Sequence, residues 1–335
     1  MVCFTSIVTW SNEFSAKPLH QLRSATMRKR VYNLEFPSRC PAMTIYGYKF
    51  SRVPDYSDRI AQLQHLVTSY SEFSISANTG QHSITAYVEL PDHEDRAILE
   101  WKGSGSTALN DVLLLLSIFT GRDVFAVEDK ESDIGAILTD PRLYQSGGVL
   151  INSIPYTEHP PYSDDWELGY DVGREEGLNQ IYRLMRSEEW QSRYEHGYFL
   201  FLAQQAFRRQ TLESSFIQCW TIWEHLFTIH NQKWLSAKQI RQLDSSEKIA
   251  FILTTYALKD EIDDKSRKRI ASLAEIRNRL IHFGQFPKRG SVHDDAILFI
   301  RLTEFVIAKI LGLSPSNVFN TVERLEEFLN SIKPS

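Results

Sequence analysis

The spacing of apolar residues changes at one place, and that change limits the folds open to this chain of 335 residues. Ile154 to Asp165, IPYTEHPPYSDD, holds a proline pair and several acids with no apolar period. Adjacent prolines withhold two backbone donors and resist helix, so the segment reads as a linker. Beyond it apolar residues recur every three to four positions, as in helices packed on a shared core. Helices are predicted at 174–187, 189–208, 212–230, 236–257, 264–284, 292–312 and 316–331, with Ser314-Pro315-Ser316 starting the last. Before the linker the runs are short and rich in β-branched and aromatic residues, as strands are. They are CFTSIVTW (3–10), MTIYGYKF (43–50), EFSISA (72–77), HSITAYVEL (82–90) and RAILEW (96–101), with VFAV (124–127) and GGVLINSI (147–154) as further strands. Asn78-Thr79-Gly80-Gln81 makes a hairpin turn, and helices fit 57–70 and the stretch after Gly103-Ser104-Gly105-Ser106 up to Gly121. The expectation is an α+β N-terminal domain over 1–160 and an all-α domain over 166–335.

A composition of 42% hydrophobic and 24% charged residues is that of an ordinary globular protein. Cys3, Cys40 and Cys219 are odd in number and scattered, so neither a disulfide framework nor a zinc site is expected. The N-terminus MVCFTSIVTWSNEF lacks the basic and apolar regions of a signal peptide, and the longest apolar run, Val112 to Phe119, is too short to span a bilayer. The expected location is the cytoplasm, with no membrane partner. Net charge is −5, divided unevenly: residues 1–165 hold 14 Lys and Arg against 20 Asp and Glu, and residues 166–335 hold 23 against 22.

The most basic stretch is also the one with chemistry in it. Asp263 to Pro287 reads as a helix with a start at its two acids and a stop at Gly284 and Pro287. Its expected apolar stripe is Ile270, Leu273, Ala274, Leu280 and Ile281, interrupted by Arg277. A guanidinium on a core-facing stripe is costly unless paired. His282, of the side-chain type whose unperturbed pKa lies nearest neutrality, lies five residues on, and Asn278 at four residues' distance is placed to orient it. Lys265, Arg267, Lys268, Arg269, Arg277, Arg279, Lys288 and Arg289 against Glu275 alone give residues 265–289 a balance of +7. Such a run is either a solvated face or a surface for a phosphate backbone.

The run Arg277-Asn278-Arg279-Leu280-Ile281-His282 resembles the signature of HEPN domains: Arg, a polar residue, three variable positions, then His. The resemblance covers roughly the last 150 residues and implies an all-α HEPN-like helical bundle with the motif near a helix end. Many members are metal-independent ribonucleases of toxin and antiviral-defence systems, so it implies an endoribonuclease acting on RNA without a cofactor. Arg277 and His282 would be catalytic, Asn278 would steer the imidazole, and Arg267, Lys268, Arg269, Arg279, Lys288 and Arg289 would hold RNA. Glu224, at the edge of the aromatic-rich helix SSFIQCWTIWEHLFTIH, matches an acidic residue that often faces the motif; it either pairs with Arg277 or faces water. About 140° of helix turn separates Arg277 from His282, so the resemblance also implies a homodimer that joins two motifs, with contacts on the 212–230 or 292–312 helix.

Gly284 stands where toxins partnered with nucleotidyltransferase antitoxins carry a Tyr, so control by modification of such a Tyr is not expected. A large front domain instead suggests a sensor for a phage-derived or cellular trigger, similar to ApeA-like anti-phage HEPN proteins. The competing expectation is a non-catalytic HEPN-like bundle used for binding or dimerisation, its His near a helix dipole's negative end. Elsewhere, Gly103 to Ser106 lacks the lysine of a phosphate loop, His225 and His230 lack zinc-protease spacing, and Arg28-Lys29-Arg30 reads as a solvated loop or a nucleic-acid contact.

Overall fold

The computed structural model describes residues 27–36, 40–61, 84–99, 106–120, 124–128, 174–207, 212–256, 262–287 and 292–313. The expected strands at 3–10, 72–77 and 147–154, the turn at 78–81, the linker and the helix at 316–331 lie outside these residues.

Five strands form one antiparallel sheet: β1 (Arg28–Tyr32), β2 (Ala42–Ile45), β3 (Tyr48–Arg52), β4 (Ile84–Glu89) and β5 (Phe125–Glu128), in the order β2-β3-β4-β1-β5. Two of these depart from the sequence reading. The expected single strand at 43–50 is a hairpin, because the chain reverses through Tyr46 (φ 49°) and Gly47 (φ 81°). The basic triplet Arg28-Lys29-Arg30 is no loop but begins an inner strand. The Arg28 guanidinium lies 3.3 Å from the Tyr87 ring centroid, so its charge stacks on an aromatic while the strand pairs on both sides.

RAILEW is not a strand in its described part, where only the bridge of Arg96 with Thr107 forms. The amides of Ile98 and Leu99 instead donate to the carboxylate of Asp111, at 2.6 and 3.3 Å. Asp111 is fully buried at the start of α1 (Ala108–Thr120) and also accepts from the Tyr182 hydroxyl at 3.2 Å. A side chain has taken the donors that a neighbouring strand would otherwise need to satisfy.

The C-terminal region is mostly helical: α2 (Arg174–Met185), α3 (Glu188–Arg193), a short 3-10 turn at Glu195–Gly197, α4 (Phe199–Phe207), α5 (Leu212–Asn231), α6 (Ala237–Gln242), α7 (Ser245–Thr255), α8 (Asp264–Phe283) and α9 (Val292–Ile310). Two expected helices are divided. Positive φ at Glu195, His196 and Gly197 breaks 189–208, and Leu243 with the extended N-cap Asp244 breaks 236–257. Helix α5 is the spine, packed by α4, α7, α8 and α9. Phe299 of α9 sits among its aromatics, 5.2 Å from Phe216, 5.6 Å from Trp220 and 4.9 Å from Trp223.

Sheet and helices share one continuous core. Helix α1 packs on α4, and α2 packs on β2. The Asn179 side chain accepts from the Tyr46 amide and donates to the Thr44 carbonyl, both at 2.8 Å. Arg186 pairs with Asp95 at 3.2 Å, beside the rings of Tyr46 and Tyr182, which meet at a tilt with centroids 4.4 Å apart. Among the described residues no helix is long and apolar enough to cross a membrane.

Candidate active site

Helix α8 forms where the sequence places it, and its ends are capped as the sequence implies. The Asp263 carboxylate accepts from the Ser266 amide at 2.7 Å, and Gly284 closes the helix in the left-handed region (φ 65°) with its amide on the Leu280 carbonyl. The buried stripe is Ser266, Ile270, Leu273, Ile276 and Leu280. Ile276 thus takes the inward place expected of Ile281, which is half exposed. The cause is tertiary. Asp295, near the start of α9, accepts from the Ser272 hydroxyl and pairs with Arg269, so α9 begins beside the middle of α8. From Arg277 onward the helix buries only Leu280, and Asn278, Arg279, Ile281, His282 and Phe283 are exposed.

The motif residues are therefore on a projecting helix end. Arg277 is half-buried beside the stripe, as its spacing predicts. Its Nη1 donates to the Asn278 amide oxygen at 3.1 Å, while its Nε is buried with no hydrogen-bond partner among the described residues. His282 is exposed, and five residues of helix turn it to the far side from Arg277. The two do not converge within one chain.

Two expected supports are not formed. Asn278 gives its oxygen to Arg277 and makes no hydrogen bond with His282, so it does not orient the imidazole. Glu224 does not pair with Arg277. Its carboxylate accepts from Trp220 Nε1 at 3.2 Å, one turn back on α5, and from the Ser245 hydroxyl at 3.3 Å at the start of α7. Local donors satisfy this acid before the motif helix can, and it joins α5 to α7.

The expected RNA-holding residues divide similarly. Arg267, Lys268 and Arg279 are exposed on α8. Arg269 is engaged by Asp295 at 3.5 Å and serves the α8–α9 contact. Lys288 and Arg289 lie outside the described residues. Phe283, which the sequence reading passed over, is 66% exposed, and the Arg279 guanidinium lies 4.9 Å from its ring centroid. The only signal was an aromatic directly after the motif histidine. His293 packs against Phe286 at 5.2 Å.

Two other described histidines, His225 and His230, serve packing on α5. His230 Nε2 meets the Tyr256 hydroxyl at 2.7 Å, and burial, then the nearby Arg193 charge, lowers its pKa. Burial likewise lowers that of His225, whose ring lies 5.8 Å from Tyr198. No group of three metal-ligating side chains exists among the described residues.

The expected dimer contacts on the 212–230 and 292–312 helices meet an obstacle. The large apolar side chains of α5 and α9 are committed to the core, and no exposed large apolar residue lies on either. Two that are exposed, Ile281 and Phe283, flank His282. Comparison with family models, with curated proteins and with solved structures finds no match to this chain.

Proposed function

We propose that this chain is a metal-independent endoribonuclease of a prokaryotic defence or toxin-type system, with its site on the projecting end of α8. The observation that carries the reading is the Arg277 guanidinium, whose buried Nε has no partner among the described residues. A charged donor left unmet costs stability, so packing alone does not explain a guanidinium held here, and its more exposed Nη1 end, on the Asn278 amide oxygen, is the end that an anionic oxygen would meet. The exposed imidazole of His282 lies on the same two turns and is the side-chain type that most often carries a proton in such reactions.

In the proposed reaction the RNA 2′-oxygen attacks the adjacent phosphorus as the bond to the 5′-oxygen breaks. One proton leaves the 2′-hydroxyl and one reaches the departing 5′-oxygen, giving a 2′,3′-cyclic phosphate and a 5′-hydroxyl. His282 carries a proton in this exchange, and Arg277 stabilises the charge growing on the phosphate. Because the two diverge in one chain, the working site is composite. A two-fold axis beside Ile281 and Asn278 would bring Arg277 and His282 of two copies to one groove, with Ile281 supplying apolar contact. The joint of Asn179, Arg186, Tyr46 and Asp95 would carry a signal from a trigger bound at the N-terminal region to the helices.

The divergence of Arg277 and His282 also suits a binding or dimerisation module without catalysis. Incubation of the purified protein with total RNA, with and without EDTA, separates the two. The nuclease reading expects cyclic-phosphate ends in both samples, and a loss of at least ~100-fold in His282→Ala with the fold intact. No cleavage under any condition, or wild-type rates in His282→Ala, would leave only the binding module.

A further inference from the structure

The exposed ring of Phe283 has no part in the chemistry just described, yet it is the nearest aromatic to His282 in the chain. Aromatic side chains normally bury their faces, and the other described phenylalanines near this helix end do so at least partly, Phe286 against His293. Phe283 is instead 66% exposed, with two neighbours near its ring, the Arg279 guanidinium at 4.9 Å and the His282 imidazole edge-on at 6.4 Å. At about 100° per residue, Phe283 and Arg279 lie on one side of α8 and Ile281 on the opposite side, with His282 between them. The side that would meet a second copy is thus separate from the side that carries the ring. Lys268, exposed, lies on the same strip as Arg279, three turns nearer the helix start. Glu275, exposed, lies between them on that strip, so the local pattern is the cation Arg279 and the aromatic Phe283 on the last turns of α8 beside His282, a pairing of the kind that single-stranded nucleic-acid sites use.

We infer that Phe283, backed by Arg279, is a base-stacking platform that makes the site take unpaired RNA. The inference rests on the ribonuclease reading for its substrate. An unpaired base laid on the open face of Phe283 buries two apolar faces at once, while Arg279 keeps donor edges free for the neighbouring phosphate. The stacked nucleotide's own phosphate then falls near His282, which is one residue away. A base inside a duplex has both faces covered by its neighbours and gains nothing from the ring. Phe283 is therefore a specificity-determining and positioning residue.

The test uses the full chain, wild type against Phe283→Ala and Phe283→Trp. Cleavage of a mixed-sequence single-stranded RNA is compared with cleavage of the same strand annealed to its complement. In parallel, binding of fluorescein-labelled oligodeoxyadenylate, which has no 2′-hydroxyl to react, is followed by anisotropy. Wild type should prefer the single strand, and Phe283→Ala should reduce that preference about tenfold, chiefly through KM, while Phe283→Trp retains it. Oligodeoxyadenylate binding should weaken by a similar factor in Phe283→Ala. If wild type cleaves nothing but Phe283→Ala still weakens that binding, the platform stands and the nuclease reading falls. If cleavage proceeds and Phe283→Ala matches wild type on both RNA forms and in binding, the platform is overturned alone. A lower sedimentation coefficient of Phe283→Ala at the assay concentration would assign the ring to contact between copies and also overturn it.

Discussion

Removing the Asp111 carboxylate should loosen the joint between the sheet and the helices more than any surface change. Asp111 is fully buried and accepts from the Ile98 amide at 2.6 Å, the Leu99 amide at 3.3 Å and the Tyr182 hydroxyl at 3.2 Å. Those donors belong to the loop before α1 and to α2, so one side chain fastens three segments. A hydrogen bond to a charged acceptor contributes about 1.5–3 kcal/mol, and a buried donor left unmet costs about 1–3 kcal/mol. Relief from burying the charge offsets part of this. Asp111→Ala should therefore lose about 3–4 kcal/mol, and Asp111→Asn, which retains one carbonyl acceptor, about half as much. Urea denaturation gives the midpoint and slope. The expected result is a lower midpoint at unchanged slope, with faster hydrogen exchange at the Ile98 and Leu99 amides. A loss under about 0.5 kcal/mol in Asp111→Ala would mean that water or other groups satisfy these donors and that the joint is not built on this residue.

Burial pushes the Glu304 carboxyl up from 4.5 to about 7, against the opposing pull of Arg301 at 3.3 Å. The folded state then binds more protons than the unfolded chain between those values, so this group's contribution to stability falls as pH rises from about 4.5 to about 7. Glu304→Gln should flatten that part of the stability profile, and an identical slope in both proteins would refute the assignment. Gly197 has φ 75°, and a Cβ there would lie 2.7 Å from the Trp190 ring, whereas Gly284, at φ 65°, has open space. Gly197→Ala should cost about 3 kcal/mol and Gly284→Ala about 1 kcal/mol by thermal or urea unfolding, with equal costs counting against the packing argument. Specific RNA-cleaving activity should collapse on dilution through the range where sedimentation shows copies separating, and a fully active monomer would make the composite groove unnecessary.

Local signals in the sequence located much of this molecule. The span of α8 is readable because Asp263 and Gly284 are strong caps around a regular period. The long apolar helices α5 and α9 are readable for the same reason of period. What misled was in part local, as at the Tyr46–Gly47 reversal and the break at Glu195–Gly197, and in part a partner outside the segment being read. Ile281 fits the stripe by spacing, but α9 begins too early to cover it, a fact set by Asp295 meeting Ser272 and Arg269. The strand expected at 96–101 fails because a buried carboxylate thirteen residues on takes the Ile98 amide. Glu224 borders an apolar face as expected, yet Trp220 and Ser245 are nearer donors than Arg277. The chain shows Arg277 on the stripe's flank and His282 turned away from it, and so poses the question of a second copy. It gives no sign of Arg279 over Phe283, since that pairing depends on a helix end left bare by the rest of the fold.

The central claim is that Arg277 of one copy works with His282 of another. Mixing separately purified Arg277→Ala and His282→Ala chains, then measuring RNA cleavage, tests it most directly. Each variant alone is expected to be inactive, and the mixture should recover cleavage as mixed dimers restore one intact pair to the shared groove. A mixture that stays as inactive as its parts, although mixed dimers form, would contradict the composite site.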